Sequence, residues 1–502
     1  MSETRTDIPD LAGDLLSGLR AAVEPDRLLM ATVSAMIRGV GYRYALDAAP
    51  RRRGVGEPLR LLLAGYNGTR NTGADVRVNE MIRQFRHVLG EDTLELSVMT
   101  QDFDRTAGYF PGVRQVLLPP VFPPFLLREC PRHDGVVACE GSMFKSKFAD
   151  ALTTMMAGSL GFANAENKLS IGYGGEAGAM SSAMRSFVRE HCRDSVIFCR
   201  NAPSQAVLED LGLRTHSGAD TAWTFEPAQR EVAHGLLREA GWDGRRRIVV
   251  GCAIDPFCWP VRPNLKRAAG EWLREDGGAD PDHFRAIYFH ERTADAADSL
   301  ERYLTAFADG MRLAADRLDA FPVMVGMEAL DRRACEAVSE RLGGIPCLVS
   351  DTPAHDMGAL VAVLRCADLL LTSRFHAMVC AMPAGVPGVG ITMDERIANL
   401  MVERGHEDFL LRVDDPELGG RLADTVERAV GDLDRLSREC LAGCLPHLKR
   451  MGEMGLAFRE TVLAHHPDLE VPVLPAVSPE DRWLQGLPPL PADVLELMND
   501  VA

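Results

Sequence analysis

The chain lacks several signatures that would narrow its class at once. It has no Cys-x-x-Cys pair: its 12 cysteines are scattered, with Cys252 and Cys258 six residues apart and Cys440 and Cys444 four apart. Neither spacing builds a zinc site, and no metal is expected. Several cysteines, such as Cys366 and Cys380, sit in apolar runs, which predicts reduced, buried thiols. No apolar run is long enough to span a bilayer; the nearest, around Leu360–Leu371, is interrupted by Arg365 and Asp368. The first residues, Met-Ser-Glu-Thr-Arg-Thr-Asp, carry no basic segment ahead of an apolar one, so a secretory signal is not expected and a cytoplasmic location is. Basic residues are outnumbered, 55 Lys and Arg against 72 Asp and Glu, for a net charge of −17. General nucleic-acid binding, which needs excess cations to neutralise phosphate, is therefore not expected. No repeat at solenoid spacing is visible.

What is present is ordinary globular composition, 46% hydrophobic and 25% charged in 502 residues, enough for a sizeable core and roughly three domains. Residues 1–57 form the first block, a helical extension and linker. Leu11, Leu15, Leu16, Leu19, Leu28, Leu29, Val33 and Ile37 recur at helical steps, and Pro25 divides them into two helices. Arg38, Arg43 and Arg51–Arg53 make a basic patch, either a solvated linker run or a peripheral contact with anionic lipid or substrate.

From residue 58 the pattern alternates between short apolar runs ending in loops and amphipathic helical stretches. Strands are expected at Leu59–Gly65, Leu94–Val98, Gly135–Ala138, Lys168–Tyr173 and Val196–Cys199, with helices between them. This is the rhythm of a doubly wound α/β domain over 58–225. A polar helical crossover opens a second such block over 226–415. Its strands are expected at Arg247–Cys252, Ala286–His290, Pro322–Val325, Cys347–Val349, Asp368–Leu371 and Pro387–Ile391. Residues 416–502 are helical to about 465 and then proline-rich, expected as a wrapped or mobile appendage. Two α/β halves in series imply a cleft, with ligands on the loops at the carboxyl ends of the strands.

Five such loops carry candidate chemistry. After the first strand, Gly65–Asp75 offers Gly68, Asn71 and Gly73 as a backbone nest for an anion, with Arg70 adding charge. Cys139–Lys147 offers Gly141, Ser142 and the cation Lys145. Gly172–Ala177 matches G-x-G-x-x-A, a weak dinucleotide fingerprint out of its usual context. At the end of the 196–199 strand, Arg200 can clamp a carboxylate or phosphate through its guanidinium fork. The fifth loop is the most specific: Leu369–Leu371 runs into Thr372-Ser373-Arg374-Phe375-His376, an anion clamp beside a group that titrates near neutral pH.

At these residues the chain resembles the polysaccharide pyruvyl transferase family. Ser373-Arg374-Phe375-His376-Ala377, followed by Gly385-Val386-Pro387-Gly388-Val389-Gly390-Ile391, is similar to that family's C-terminal motif. Gly65, Tyr66, Gly68, Asn71 and Gly73 resemble its N-terminal loop, Arg200 and Ser204 its strand-end pair, and Asp220 the acid that closes its first domain. The resemblance covers about residues 59–400. It departs where Ala74 separates Gly73 from Asp75, where Cys139 and Glu140 replace two glycines before Gly141, and where Met393 and Arg396 stand in place of a tyrosine and a lysine.

The resemblance implies two Rossmann-like domains facing a cleft, a GT-B-like arrangement, and transfer of a pyruvyl group from phosphoenolpyruvate to two hydroxyls of a sugar or glycan acceptor, with no cofactor. It implies His376 as general acid/base, with Arg374 and Arg200 binding the anionic donor. Gly68, Asn71, Gly73, Gly141, Ser142, Ser373 and Arg396 complete the substrate site. Arg70, Lys145, Arg200, Arg374 and Arg396 would together make the cleft locally positive. Two other readings stand beside this one. A GT-B glycosyltransferase would bind a nucleotide sugar in the same cleft, with Glu328 on the ribose. A binding protein would keep the fold with altered chemistry.

Overall fold

The computed structural model describes residues 24–47, 53–272 and 282–492, together with Val494, Leu495 and Met498. The first predicted helix, Arg51 and Arg52 lie outside the described residues, as does part of the final stretch.

Seven strands form the first sheet: β1 (Leu59–Asn67), β2 (Leu94–Thr100), β3 (Arg114–Leu117), β4 (Gly135–Ala138), β5 (Leu169–Gly175), β6 (Val196–Cys199) and β7 (Arg214–Ser217). They lie in the order β3-β2-β1-β4-β5-β6-β7 and are parallel throughout. The chain then runs through β8 (Arg247–Cys252), β9 (Arg262–Pro263), β10 (His283–Arg285) and β11 (Tyr288–Phe289). It ends its sheets with β12 (Ala320–Gly326), β13 (Cys347–Val349), β14 (Leu369–Thr372), β15 (Gly388–Thr392) and β16 (Leu410–Arg412). The second parallel sheet has the order β13-β12-β8-β14-β15-β16. Its central strands are apolar and buried along their whole length, as a sheet covered on both faces requires: every residue of β14 is buried.

The α/β class and paired doubly wound sheets are as expected. The strands that sequence reading overlooked are short and peripheral. β3 (Arg-Gln-Val-Leu) and β7 (Arg-Thr-His-Ser) are exposed edge strands, and losing burial on one side removes the apolar run that marks a central strand. One expectation is corrected. Residues 286–290 do not join the second parallel sheet, because Tyr288 and Phe289 pair antiparallel with Pro263 and Arg262, in a small separate sheet ordered β10-β11-β9.

Pro25 does not break a described helix but begins one, Pro25–Ala45, at a position where its missing N–H costs nothing. Met30, Val33, Ile37 and Val40 of this helix are buried against helix Asp150–Ala165. The close approach needs glycines: a Cβ at Gly158 would lie 2.8 Å from Val33, and one at Gly161 2.8 Å from Ile37. The helix is thus a packed layer on the first sheet. Of its basic residues, Arg38 pairs with Glu190, and downstream Arg53 pairs with Asp468.

The C-terminal segment is also structural. Helix Leu433–His465 starts against the second sheet, where the Cys440 thiol donates to Val386 O, and finishes against the first, where Phe458 stacks on Phe85 at 4.0 Å between centroids. The proline-rich tail wraps back over it. Gln84 Nε2 donates to Met451 O of the helix and to Gly486 O of the tail, and Arg83 donates to Pro489 O. One strut therefore fixes both sheets relative to each other.

Candidate active site

The carboxyl ends of strands from both sheets open onto one cavity of about 220 Å³. Tyr66 at the end of β1 and Asn71 just beyond it line one side, with Glu140 and Ser142 after β4. Glu328 and Asp331 after β12, Ser373 and Arg374 after β14, and Arg396 after β15 line the other. This is where doubly wound sheets place ligands, because loops there are free of the sheet's own hydrogen bonding.

Arg374 is the best-held cation on the wall. Its Nε donates to Asp331 Oδ2 at 2.9 Å and its Nη2 to Glu328 Oε2 at 3.1 Å; Asp331 Oδ1 also accepts from Nη2. Burial works against the guanidinium's charge, yet Asp331 and Glu328 hold it ionised, above the ordinary arginine range. Glu328 Oε2 also accepts from Asn71 Nδ2 at 3.0 Å, a bond that crosses the cleft from one half of the chain to the other. A second cross-cleft bond runs beside it, Thr72 N to Met327 O at 2.8 Å. Burial pushes Glu328 up to about 7, against the pull of Arg374, so a carboxyl that titrates near neutrality faces the cavity. Ser373 is fixed by a 2.8 Å hydrogen bond with Tyr303 Oη.

A second cluster is buried behind the cavity wall. Asp220 is its hub: Oδ2 meets Arg77 Nε at 3.0 Å, Arg200 Nη1 at 3.1 Å and His376 Nε2 at 3.3 Å. Burial alone would raise the Asp220 carboxyl, but Arg77, His376 and Arg200 hold it far below the usual carboxylate range. Arg200 also pairs with buried Glu176, which takes a hydrogen bond from Asn399 at 3.1 Å. Lys145 Nζ meets Glu395 at 3.0 Å, and burial pulls it down to about 8. Burial lowers His376 below an ordinary histidine, against the attraction of Asp220. The other edge of the imidazole is closed by the chain itself, since a Cβ at Gly73 would run into the ring. Gly141 serves the same packing: a Cβ there would sit 2.9 Å from Arg200 Nη1.

The structure therefore divides the expected site. Asn71, Ser142, Ser373, Arg374 and Arg396 line the cavity. Arg200, His376, Gly73 and Gly141 belong to the buried cluster; Arg200 and Asp220 border a small void of about 20 Å³ that Arg396 also touches. Gly68, at φ +83°, turns the loop over Thr100 and Gln101 and is a conformational glycine. The expected positive cleft is corrected. Glu140, Asp255, Glu328 and Asp331 on the wall match Arg292, Arg333, Arg374 and Arg396. Arg70 donates to Thr352 O outside the cavity, and Lys145 and Arg200 are neutralised behind it. Buried cations need partners, so an acidic protein has acids at hand to balance them. Gly172–Ala177 offers no open phosphate cradle: Gly174 sits against Ala219 O, Gly175 against Met143, and Glu176 is paired.

Sequence reading missed Arg77, whose only signal is a cation between Val76 and Val78 on an apolar helix face. It also missed the aromatic wall of Phe148, Trp259 and Phe284, brought together from three separate segments. Among the described residues, no group of three or more His, Cys, Asp or Glu is placed to hold a metal. No described helix is long and apolar enough to cross a membrane.

The stretch that supplies Arg200, Asp220, Glu328, Arg374 and His376 decides the comparison with known proteins. Residues 178–395 match the polysaccharide pyruvyl transferase family. The matched segment starts after β5 and ends after β15, so it takes in the far side of the first sheet and most of the second. The match supports a transferase of the polysaccharide-modifying kind. No curated protein matches the chain in sequence. Among solved structures, the fold is shared with a Listeria monocytogenes protein described as a UDP-N-acetylglucosamine 2-epimerase, at 12% identity and a TM-score of 0.50 over 84% of this chain and 100% of that one. A looser likeness is to the UDP-GlcNAc 2-epimerase of Neisseria meningitidis, at 9% identity and a TM-score of 0.46 over 81% of this chain and 100% of that one. The first of these supports the GT-B-like architecture and nothing finer.

Proposed function

We propose that the protein transfers a pyruvyl group from phosphoenolpyruvate to two hydroxyls of a sugar or glycan, forming a ketal and releasing phosphate. The observation that carries this reading is the pyruvyl transferase match, which spans the loop presenting Arg374 to the cavity. The donor brings a carboxylate and a phosphate. Arg374 and Arg396 supply charge for them, and Ser142, Ser373 and Asn71 supply neutral hydrogen bonds. Protonation of the vinyl carbon makes an oxocarbenium-like centre at the adjacent carbon, which one sugar hydroxyl attacks. A second hydroxyl then displaces the phosphate, and the two hydroxyl protons leave to base and phosphate.

Of the two candidate proton donors, Glu328 lines the cavity, whereas His376 faces Asp220 and Gly73. We assign the proton transfer to Glu328 and a positioning role to His376 within the Asp220 cluster. Glu328 must be protonated to act, so kcat/KM for phosphate release is expected to fall as pH rises through about 7. Glu328→Gln should lose activity by about 10²–10⁴-fold, the usual worth of a general acid, and lose that limb of the profile. Retained activity in Glu328→Gln, with abolition in His376→Ala while phosphoenolpyruvate still binds, would return the role to the histidine.

A thermal-shift series tests the donor directly. Phosphoenolpyruvate at 100-fold over its Kd should stabilise the protein by about 2.7 kcal/mol, and UDP and NAD should not. Stabilisation by UDP alone would replace this reading with a nucleotide-sugar glycosyltransferase.

A further inference from the structure

A second, smaller cavity of about 60 Å³ adjoins the first, and Tyr66, Ala149, Leu152 and Phe284 line both. The rings of Tyr66 and Phe284 stack at 6.2 Å between centroids, so the passage between the two spaces is aromatic on one side. Beyond it the walls are apolar, with Leu118, Phe122, Ala151 and Met155 among them. Side-chain donors are few there, Gln101, Arg285 and the hydroxyls of Tyr66 and Tyr288, and the Tyr288 hydroxyl is spent on Asp26 Oδ1 at 2.6 Å. Arg285 is held at the wall by donating through Nη2 to Leu118 O at 2.6 Å.

We propose that this annex binds a short acyl substituent carried by the acceptor sugar, resting on the reading of the main cavity as a sugar-modifying site. An unsubstituted sugar ring would leave its hydroxyls without partners among these walls, and burying unpaired hydroxyls is costly. A carboxylate or phosphate group would have only one cation to meet. An acyl group suits this lining, because its methylenes fill the apolar walls and its one carbonyl needs a single donor, for which Arg285 and Gln101 stand at the wall. The small volume limits the chain to a few carbons, and the passage at Tyr66 and Phe284 places it next to a sugar held in the main cavity.

The test uses the full chain labelled at methionine methyls, because Met155 lines the annex and Met393 lines the main cavity. The probes are N-methylacetamide, N-methylbutanamide and N-methyloctanamide, with phosphoenolpyruvate titrated separately. N-methylbutanamide should shift the Met155 signal saturably and bind more tightly than the acetamide, by roughly fourfold per added methylene. The octanamide should gain nothing further. Ala151→Leu fills the annex, and Pro120→Trp at its exposed rim closes the mouth; either should abolish the Met155 shift. An unmoved Met155, an affinity that does not change with chain length, or a shift that survives both variants would overturn the proposal. Phosphoenolpyruvate should perturb Met393 in the wild type and in both variants. Loss of that response alone counts against the donor reading and leaves the acyl site standing.

Discussion

Arg374→Ala is expected to reduce kcat/KM for phosphate release from phosphoenolpyruvate by about 10²–10⁴-fold. Hydrogen bonds to charged groups contribute about 1.5–3 kcal/mol each, and with the Nε and Nη2 edge held by Asp331 it is Nη1 that is left to donate to the anion. The variant should also lose stability, because Glu328 and Asp331 are buried and share this one cation. Breaking a buried pair from one side costs about 3–5 kcal/mol. Here that cost should grow with pH. Burial already raises both acids, and without Arg374 they escape it by staying protonated in acid but not in base. The unfolding free-energy difference from wild type should therefore be larger at pH 8 than at pH 5. Arg374→Lys separates the two effects, since it keeps the charge and loses the fork. It should recover most of the stability and little of the activity. Wild-type kcat/KM in Arg374→Ala would remove the residue from the donor site.

Asp220→Asn is expected to lower Tm by on the order of 10 °C, from about 3–5 kcal/mol at about 2–4 °C per kcal/mol. The substitution keeps the shape and removes the one charge on which Arg77, Arg200 and His376 converge. Arg77 and Arg200 would then be buried with too few acids, Glu176 alone remaining for Arg200. The sign with pH follows from the depressed carboxyl of Asp220. Its contribution is fully present above an ordinary aspartate's pKa of about 3.9 and fades only as pH falls through the depressed value. The gap between wild type and Asp220→Asn should thus be constant from pH 5 to pH 8 and close only in strong acid. Denaturant unfolding at several pH values checks this, and a loss below 1 kcal/mol at pH 7 would show that the cluster is not what holds the wall. Activity should fall as well, because Asp220 sets the positions of Arg200, which lies behind Arg396, and of His376.

Apolar strands were legible from local pattern: the inner strands β4, β6 and β8, and β13 at one edge, lie at the residues their apolar runs mark. So were the strand-end loops and, within them, Asn71, Ser142, Ser373, Arg374 and Arg396. Harder to read was the direction each polar side chain takes. Arg200 and Arg374 both follow buried strands at loop starts, yet one meets Asp220 and Glu176 behind the wall and the other reaches the cavity. The partners that decide this lie far off in sequence: Asp331 is 43 residues before Arg374, and Asp220 is 156 before His376.

By itself, the sequence determined the alternation of buried strand and helix, the number of halves and the loops on which chemistry sits, because hydrophobic periodicity is a local signal. Only the tertiary structure decided which charges neutralise one another, and so which remain to meet a ligand. A buried charge must find its counter-charge wherever the fold brings one within reach, and that pairing is set by packing between segments. The same packing turned the scarce basic residues of an acidic chain into a balanced cavity wall backed by a buried cluster.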